Sequence, residues 1–313
     1  MKQFLKNFIA ISLIIIVITA VLECLLLTRP NLYSYKSNYV KTHADEIEYL
    51  LLGNSHIEEA LIPDSMGKGV FNMAISGRSL AYDVELAKMH VPSMHNLKVL
   101  LVPYDYYLFY LGRNPNKKSV GQKALESTIK CMNYKYMGLR VDGFWYWSEF
   151  LFSEENVLSR FFKSDKELIE CDSLGFIPLD LSFRRTDWKQ KALPADVDLS
   201  REKRPELYDK LYKNFVTLAE ITKAYHVRLV LISIPMYNTY RKKMSKALLV
   251  EKASFATELH AKFPHIEYYD YTFDYRFDDD DFNDASHLSV IGASKFSKIV
   301  KEEILEKKPK TVL

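Results

Sequence analysis

Cysteine is scarce in this chain, with three among 313 residues, at positions 24, 131 and 171. That is too few for a disulfide framework and too dispersed for a CxxC-type zinc or redox site. Glycine (10) and proline (11) are also sparse, which excludes collagen-like and low-complexity chains. Neither charge is in large excess: 43 Lys+Arg against 40 Asp+Glu leave a formal net charge of +3. Binding dominated by phosphate neutralisation calls for a strong basic surplus, so nucleic acid is not an expected partner. No GxxxxGK[ST] and no GxGxxG occurs, so nucleotide readings lack support and no cofactor is expected. The acidic run at 278–281 has neither the glycine nor the spaced ligands of a calcium loop; it reads as a solvated turn, and no metal site is expected.

What is present begins with one long apolar run. Residues 8–27 read FIAISLIIIVITAVLECLLL, with Glu23 as the single charge. Twenty residues at 1.5 Å each reach about 30 Å, the thickness of a bilayer's hydrocarbon core. A cleavable signal would be shorter and end in small residues, so the run reads as an uncleaved anchor in contact with membrane lipid, preceded by a short cytoplasmic segment, residues 1–7. Glu23 before Cys24, where a small residue is expected, speaks against a lipoprotein site. Lys2 and Lys6 ahead of the run place the N-terminus inside. The expectation is a single-pass protein of the cell membrane whose main domain is extracytoplasmic, periplasmic or extracellular. In an oxidising compartment Cys131 and Cys171 could pair, with Cys24 left in the membrane.

With 48% hydrophobic and 27% charged residues, the rest of the chain can bury a sizeable core. After a polar connection, residues 28–45, short apolar runs alternate with helical patterns. Strands are expected at 48–53, 69–75, 97–103, 227–234 and 266–271, and helices at 79–90, 205–225, 242–262 and 286–306. Near-continuous apolar runs suit strands buried on both faces. The alternation predicts an α/β fold, a doubly wound, flavodoxin-like three-layer sandwich on a mostly parallel five-stranded sheet. It would occupy residues 46–313, with ligands beyond the carboxyl ends of the strands.

The rhythm breaks at about residues 104–200, an expected helical insertion rich in aromatics: Tyr104, Tyr106, Tyr107, Phe109 and Tyr110, then Phe144 to Trp147, then Phe150, Phe152, Phe161 and Phe162. Such a segment either packs a small core of its own or shapes the substrate cleft as a lid.

Two short motifs carry candidate chemistry. Gly53-Asn54-Ser55-His56 follows the first strand, which puts a serine hydroxyl in an exposed turn at the start of a helix. Asn283-Asp284-Ala285-Ser286-His287-Leu288 follows the last strand and opens the last helix. There a carboxylate can accept from one imidazole nitrogen while the other faces outward, the base-and-orienter half of a triad. Each motif alone is also compatible with ordinary helix capping. A doubly wound sheet, however, brings the two ends of the chain to one edge.

The order Gly-x-Ser-His after strand one, Asn72-Met-Ala-Ile-Ser-Gly77 after strand two and Asp284-x-x-His287 before the final helix resembles the SGNH (GDSL-like) hydrolase superfamily. The anchor and the HLSVIGA sequence resemble its membrane-attached acyl-modifying branch, which includes alginate O-acetyltransferase-like and teichoic acid D-alanine transfer-like proteins. The resemblance covers most of residues 46–110 and 203–305 and leaves the insertion unexplained. It implies a serine nucleophile at Ser55, a triad completed by Asp284 and His287, and an oxyanion hole from the N–H groups of Ser55 and Gly77. Where the superfamily has a GxND loop with a further Asn donor, this chain reads Val102-Pro103-Tyr104-Asp105. Tyr104 or Asp105 is expected to fill that place. Asn54 replaces an Asp and is expected to brace the turn, while His56, Arg78 and Asp105 are candidate substrate contacts. The implied activity is that of an esterase or O-acyltransferase acting on acyl, foremost acetyl, esters of cell-envelope carbohydrate. Its partners would be an acylated envelope glycan or an acyl donor protein. The alternative is a weak or inactive SGNH-like binding or scaffold protein of a glycan-modification system.

Overall fold

A computed structural model describes residues 1–110, 157–194 and 205–306. Cys131 and the aromatics from Phe144 to Phe152 lie outside the described residues. The chain divides into two compact units, residues 1–38 with 125–170 and residues 39–124 with 171–313.

In the first unit a helix runs over Lys2–Thr28. Its stretch Lys2–Leu26 contains an 18-residue window with a mean hydropathy of 2.9 and is long and apolar enough to cross a membrane. Its side chains are exposed almost throughout, from Phe4 to Leu25, so it is not the buried core helix of a globular domain. Arg29 Nη2 donates to the carbonyl of Lys163 at 2.6 Å and lies 3.4 Å from Asp165. Ser164 and Glu167 form a capping box on the short helix Asp165–Ile169.

The second unit is built on five strands: β1 Tyr49–Leu51, β2 Val70–Asn72, β3 Val99–Pro103, β4 Arg228–Ser233 and β5 Ile266–Asp270. Every pairing is parallel, in the order β2-β1-β3-β4-β5. This is the doubly wound, flavodoxin-like order. Leu50, Leu51, Leu100, Leu101 and Leu229 to Ile232 are fully buried because helices cover both faces. Phe215, Phe255, Phe109 and Tyr104 meet with ring centroids 5.4–6.2 Å apart, a contiguous aromatic core over one face.

Two helix boundaries and the acidic run differ in kind from what the sequence leads one to expect. The helix expected at 242–262 is two, Asn238–Lys243 and Lys246–Lys262, because Ser245 caps the second and its N–H donates to the Tyr106 hydroxyl at 2.7 Å. The last helix starts at Val290, not at residue 286, with the Ser289 side chain accepting from Gly292 N. The acidic run is not a freely solvated turn: Asp281 is buried and bonded to Lys295. Its carbonyl presses on Gly292 so closely that a Cβ there would lie 2.0 Å from that oxygen.

The later part of the expected insertion belongs to the sheet unit. Leu174 C=O accepts from Asn72 N at 2.9 Å, Leu179 C=O from Val290 N at 3.0 Å, and Lys191 C=O from Ala285 N at 3.3 Å. Trp188 is buried against Tyr237, with the Arg184 guanidinium 4.5 Å above its ring. Residues 171–194 thus brace the loop that carries Asp284 and His287.

Candidate active site

The two motifs meet at the carboxyl edge of the sheet. After β1 the chain turns at Gly53, where φ is +135°, and a four-residue helix starts at Ser55. Asn54 caps it, its carboxamide oxygen accepting from His56 N at 2.9 Å, while its amide nitrogen donates to the Tyr107 hydroxyl. Asn54 therefore braces the turn from two sides. Asp83 supports it from beneath, accepting from the Gly53 backbone N–H.

Between Phe282 and Leu288 the chain forms a tight loop closed by an antiparallel bridge. Asp284 Oδ1 accepts from the N–H groups of Ser286 (2.8 Å) and His287 (2.9 Å), an Asx-type turn that delays the final helix. The same carboxylate reaches His287 Nδ1, at 2.9 Å from Oδ1 and 3.0 Å from Oδ2. His287 Nε2 then lies 3.0 Å from Ser55 Oγ. With Nδ1–H donating to Asp284, Nε2 is the acceptor for the serine hydroxyl, the arrangement a nucleophilic serine needs.

Burial alone would lower the His287 pKa. The hydrogen bond and charge of Asp284, with the charges of Glu59 and Asp105, outweigh burial and raise it. For Asp284, burial acts upward, but its bonds to His287 and to the two backbone N–H groups hold it below the usual carboxylate value.

Gly77 follows β2 in a tight turn with φ +76°. Ser76, just before it, donates through N–H and Oγ to Glu58 Oε2, each at 2.7 Å, and through Oγ to Glu59 Oε1 at 3.2 Å. Among the described residues no hydrogen-bond partner is found for the N–H of Ser55 or Gly77, which leaves both available to an oxyanion.

Other expected site residues stand elsewhere. Tyr104 is fully buried in the aromatic core, and its hydroxyl donates to the carbonyl of Lys252 at 2.7 Å; it does not supply the missing donor. The physical cause is the buried Lys252 ammonium, bound by Ser233 Oγ (2.9 Å), Tyr268 Oη (2.7 Å) and Asp270 Oδ2 (2.8 Å), with the Tyr104 ring 5.4 Å away. Arg78 is not a substrate contact either. It is buried, its Nε 3.2 Å from Asp83 and its Nη2 donating to Met73 C=O at 2.6 Å. His56 and Asp105 do lie at the site but face one another, Nδ1 to Oδ2, at 3.0 Å.

Glu59, Ser76 and Tyr107 were not singled out from the sequence. Glu59 Oε2 stands 3.9 Å from His287 Nε2, and burial raises its pKa, with Glu58 adding to the rise against His287, Ser76 and His56. Its sequence signal was available, since position 59 lies four after Ser55, one helical turn away on the same face. Among the described residues no group of three His, Cys, Asp or Glu is placed to hold a metal ion.

Among known proteins, no family profile and no curated protein sequence matches this chain. Among solved structures it is similar to a GDSL-like lipase from Bacteroides thetaiotaomicron VPI-5482. The two share 11% identity and a TM-score of 0.40, over 88% of this chain and 98% of that one. It is also similar to a proposed acylhydrolase from Bacteroides fragilis NCTC 9343, at 12% identity and a TM-score of 0.39, over 86% of this chain and 94% of that one.

Proposed function

We propose that this protein is a membrane-anchored, SGNH-type serine esterase or O-acyltransferase that uses Ser55, His287 and Asp284 on acyl esters of cell-envelope carbohydrate, acetyl esters foremost. The observation that carries this reading is the continuous chain from Ser55 Oγ to His287 Nε2 (3.0 Å) and from Nδ1 to Asp284 (2.9 Å). In the first step His287 takes the serine proton as Oγ bonds to the carbonyl carbon, and the N–H groups of Ser55 and Gly77 receive the oxyanion. His287 then returns the proton to the departing alcohol. Water or a sugar hydroxyl, deprotonated by the same imidazole, takes the acyl group from Ser55. The Lys2–Thr28 helix and the lysines ahead of its apolar stretch support an anchored domain facing out of the cytoplasm and hence an envelope ester.

The test is covalent labelling of the full chain by a fluorophosphonate, together with release of acetate from O-acetylated envelope glycan. Labelling and release that both vanish in Ser55→Ala support the reading; release that persists there refutes it. Protease added to intact spheroplasts should digest the domain, and full protection would refute the orientation.

A further inference from the structure

Beside the Ser55–His287 contact stands a second imidazole–carboxylate pair. His56 Nδ1 lies 3.0 Å from Asp105 Oδ2, Asp105 is fully buried, and His56 is 7% exposed. Among the described residues neither oxygen of Asp105, nor Nδ1 of His56, makes an aligned hydrogen bond. A buried carboxylate in that condition is costly unless an opposite charge stands against it, and the ring that faces it is His56. The other neighbours of this ring are His287, edge-on with centroids 4.9 Å apart, and Tyr107 at 5.5 Å. Glu59 acts on it from further off.

The place of the pair in the fold is specific. His56 directly follows Ser55, and Asp105 stands two residues beyond the end of β3, the strand paired with β1. That is the corner where the superfamily pattern sets an Asn donor and from which Tyr104 has turned away to Lys252.

We propose that His56, whose Nδ1 faces Asp105, is the side-chain donor to the substrate oxyanion in place of the absent Asn; this rests on Ser55 being the nucleophile. As Ser55 Oγ bonds to the carbonyl carbon, the C=O π pair moves onto oxygen, and Nε2–H of His56 donates a hydrogen bond to that oxygen without losing its proton. The pair returns when C=O re-forms and the alkoxide leaves with the proton held by His287. His56 is thus a catalytic residue and Asp105 a positioning one.

The experiment compares kcat and KM for p-nitrophenyl acetate hydrolysis by the detergent-solubilised full chain in wild type, Ser55→Ala, His56→Ala, His56→Gln and Asp105→Asn. Removing an oxyanion donor lowers kcat on the order of 10²–10³-fold, so His56→Ala should show that loss with little change in KM. His56→Gln, whose amide still donates, should recover about tenfold or more. Asp105→Asn should lower kcat by less than His56→Ala, with KM little changed, because the ring stays beside Ser55 but loses the carboxylate it faces. If Ser55→Ala is inactive while His56→Ala stays within about threefold of wild type, or His56→Gln recovers no rate over His56→Ala, the role of His56 is refuted and the serine reading stands. Full activity in Ser55→Ala removes the serine reading and this inference together. Thermal melting of His56→Gln near wild type guards against mere unfolding.

Discussion

Pro103 fills the space that a side chain at Gly53 would need: a Cβ there would lie 2.7 Å from Pro103 Cδ. The end of β3 thus fixes what residue can stand two positions before Ser55. With φ at +135°, an alanine adds backbone strain, on the order of 1–3 kcal/mol, to a clash with a rigid ring. Gly53→Ala should lower the melting temperature and displace Ser55 from His287. Since a 1 Å misplacement can cost about 10²-fold in rate, ester cleavage should fall by at least tenfold. An alanine variant with wild-type turnover would mean that the turn does not position the serine.

The Tyr104 hydroxyl makes a buried hydrogen bond far from the serine. Tyr104→Phe should leave turnover of an acetyl ester unchanged and reduce stability by about 0.5–1.5 kcal/mol, the net worth of one hydrogen bond, because the Lys252 carbonyl, inside the helix Lys246–Lys262, keeps its helical partner. Denaturant melts with parallel kinetics check this. A rate loss without a stability loss would return Tyr104 to the oxyanion site.

Much of the architecture was legible because its signals are local. Runs such as Leu229 to Ile232 are apolar without alternation, and strands buried on both faces require that. The parallel order then followed from the helices between them. The helix starts were misplaced where a side chain competes for the backbone: Asp284 takes the N–H groups of Ser286 and His287 and postpones the last helix to Val290. In the site, topology brings the motifs of Ser55 and of Asp284 and His287 to one sheet edge, and the family resemblance joins them as a triad. Tyr104 could not be placed, since its direction is set by Lys252, 148 residues away. The partner of Arg78 was nearer, Asp83 five residues on, but nothing in the sequence distinguishes a buried pair from a surface one.

His90, buried at the end of the helix Leu80–His90, offers a test of the packing of that helix. Burial, with Lys41 and Arg78 nearby, pushes its pKa down to about 4, while the unfolded chain takes the proton near 6.5. A depressed folded value means the stabilising contribution is present above pH 6.5 and is lost as pH falls toward 4. Asp83, pushed up to about 6 by burial against the pull of Arg78, acts with the opposite sign over nearly the same window, so the two contributions offset one another in wild type. His90→Gln removes one side of this compensation. Its stability relative to wild type should rise by about 3 kcal/mol between pH 6.5 and 4, as read from urea melts. A constant difference across that range would contradict the buried, neutral His90.

The acid limb of the pH–rate profile should report His287. In the proposed reaction His287 is the general base and must be neutral, so kcat/KM rises as pH passes upward through its pKa. Burial pulls that value down, but the Asp284 hydrogen bond and charge, then Glu59 and Asp105, raise it above the ordinary 6.5. The wild-type limb should therefore lie above 6.5 on a neutral ester such as p-nitrophenyl acetate. Glu59→Gln removes one raising charge 3.9 Å from Nε2, so its limb should move to lower pH while the plateau rate stays close to wild type. Asp284→Asn removes the largest raising contributions and leaves burial, so its limb should move further down. Its plateau should fall on the order of 10³–10⁴-fold, because the carboxamide no longer holds Nδ1–H and the ring loses its tautomer. The two variants separate the parts of the site: a neighbouring charge shifts the limb, whereas the orienting carboxylate shifts the limb and the rate together. A limb that stays in place in both variants would mean that the titrating group is not His287.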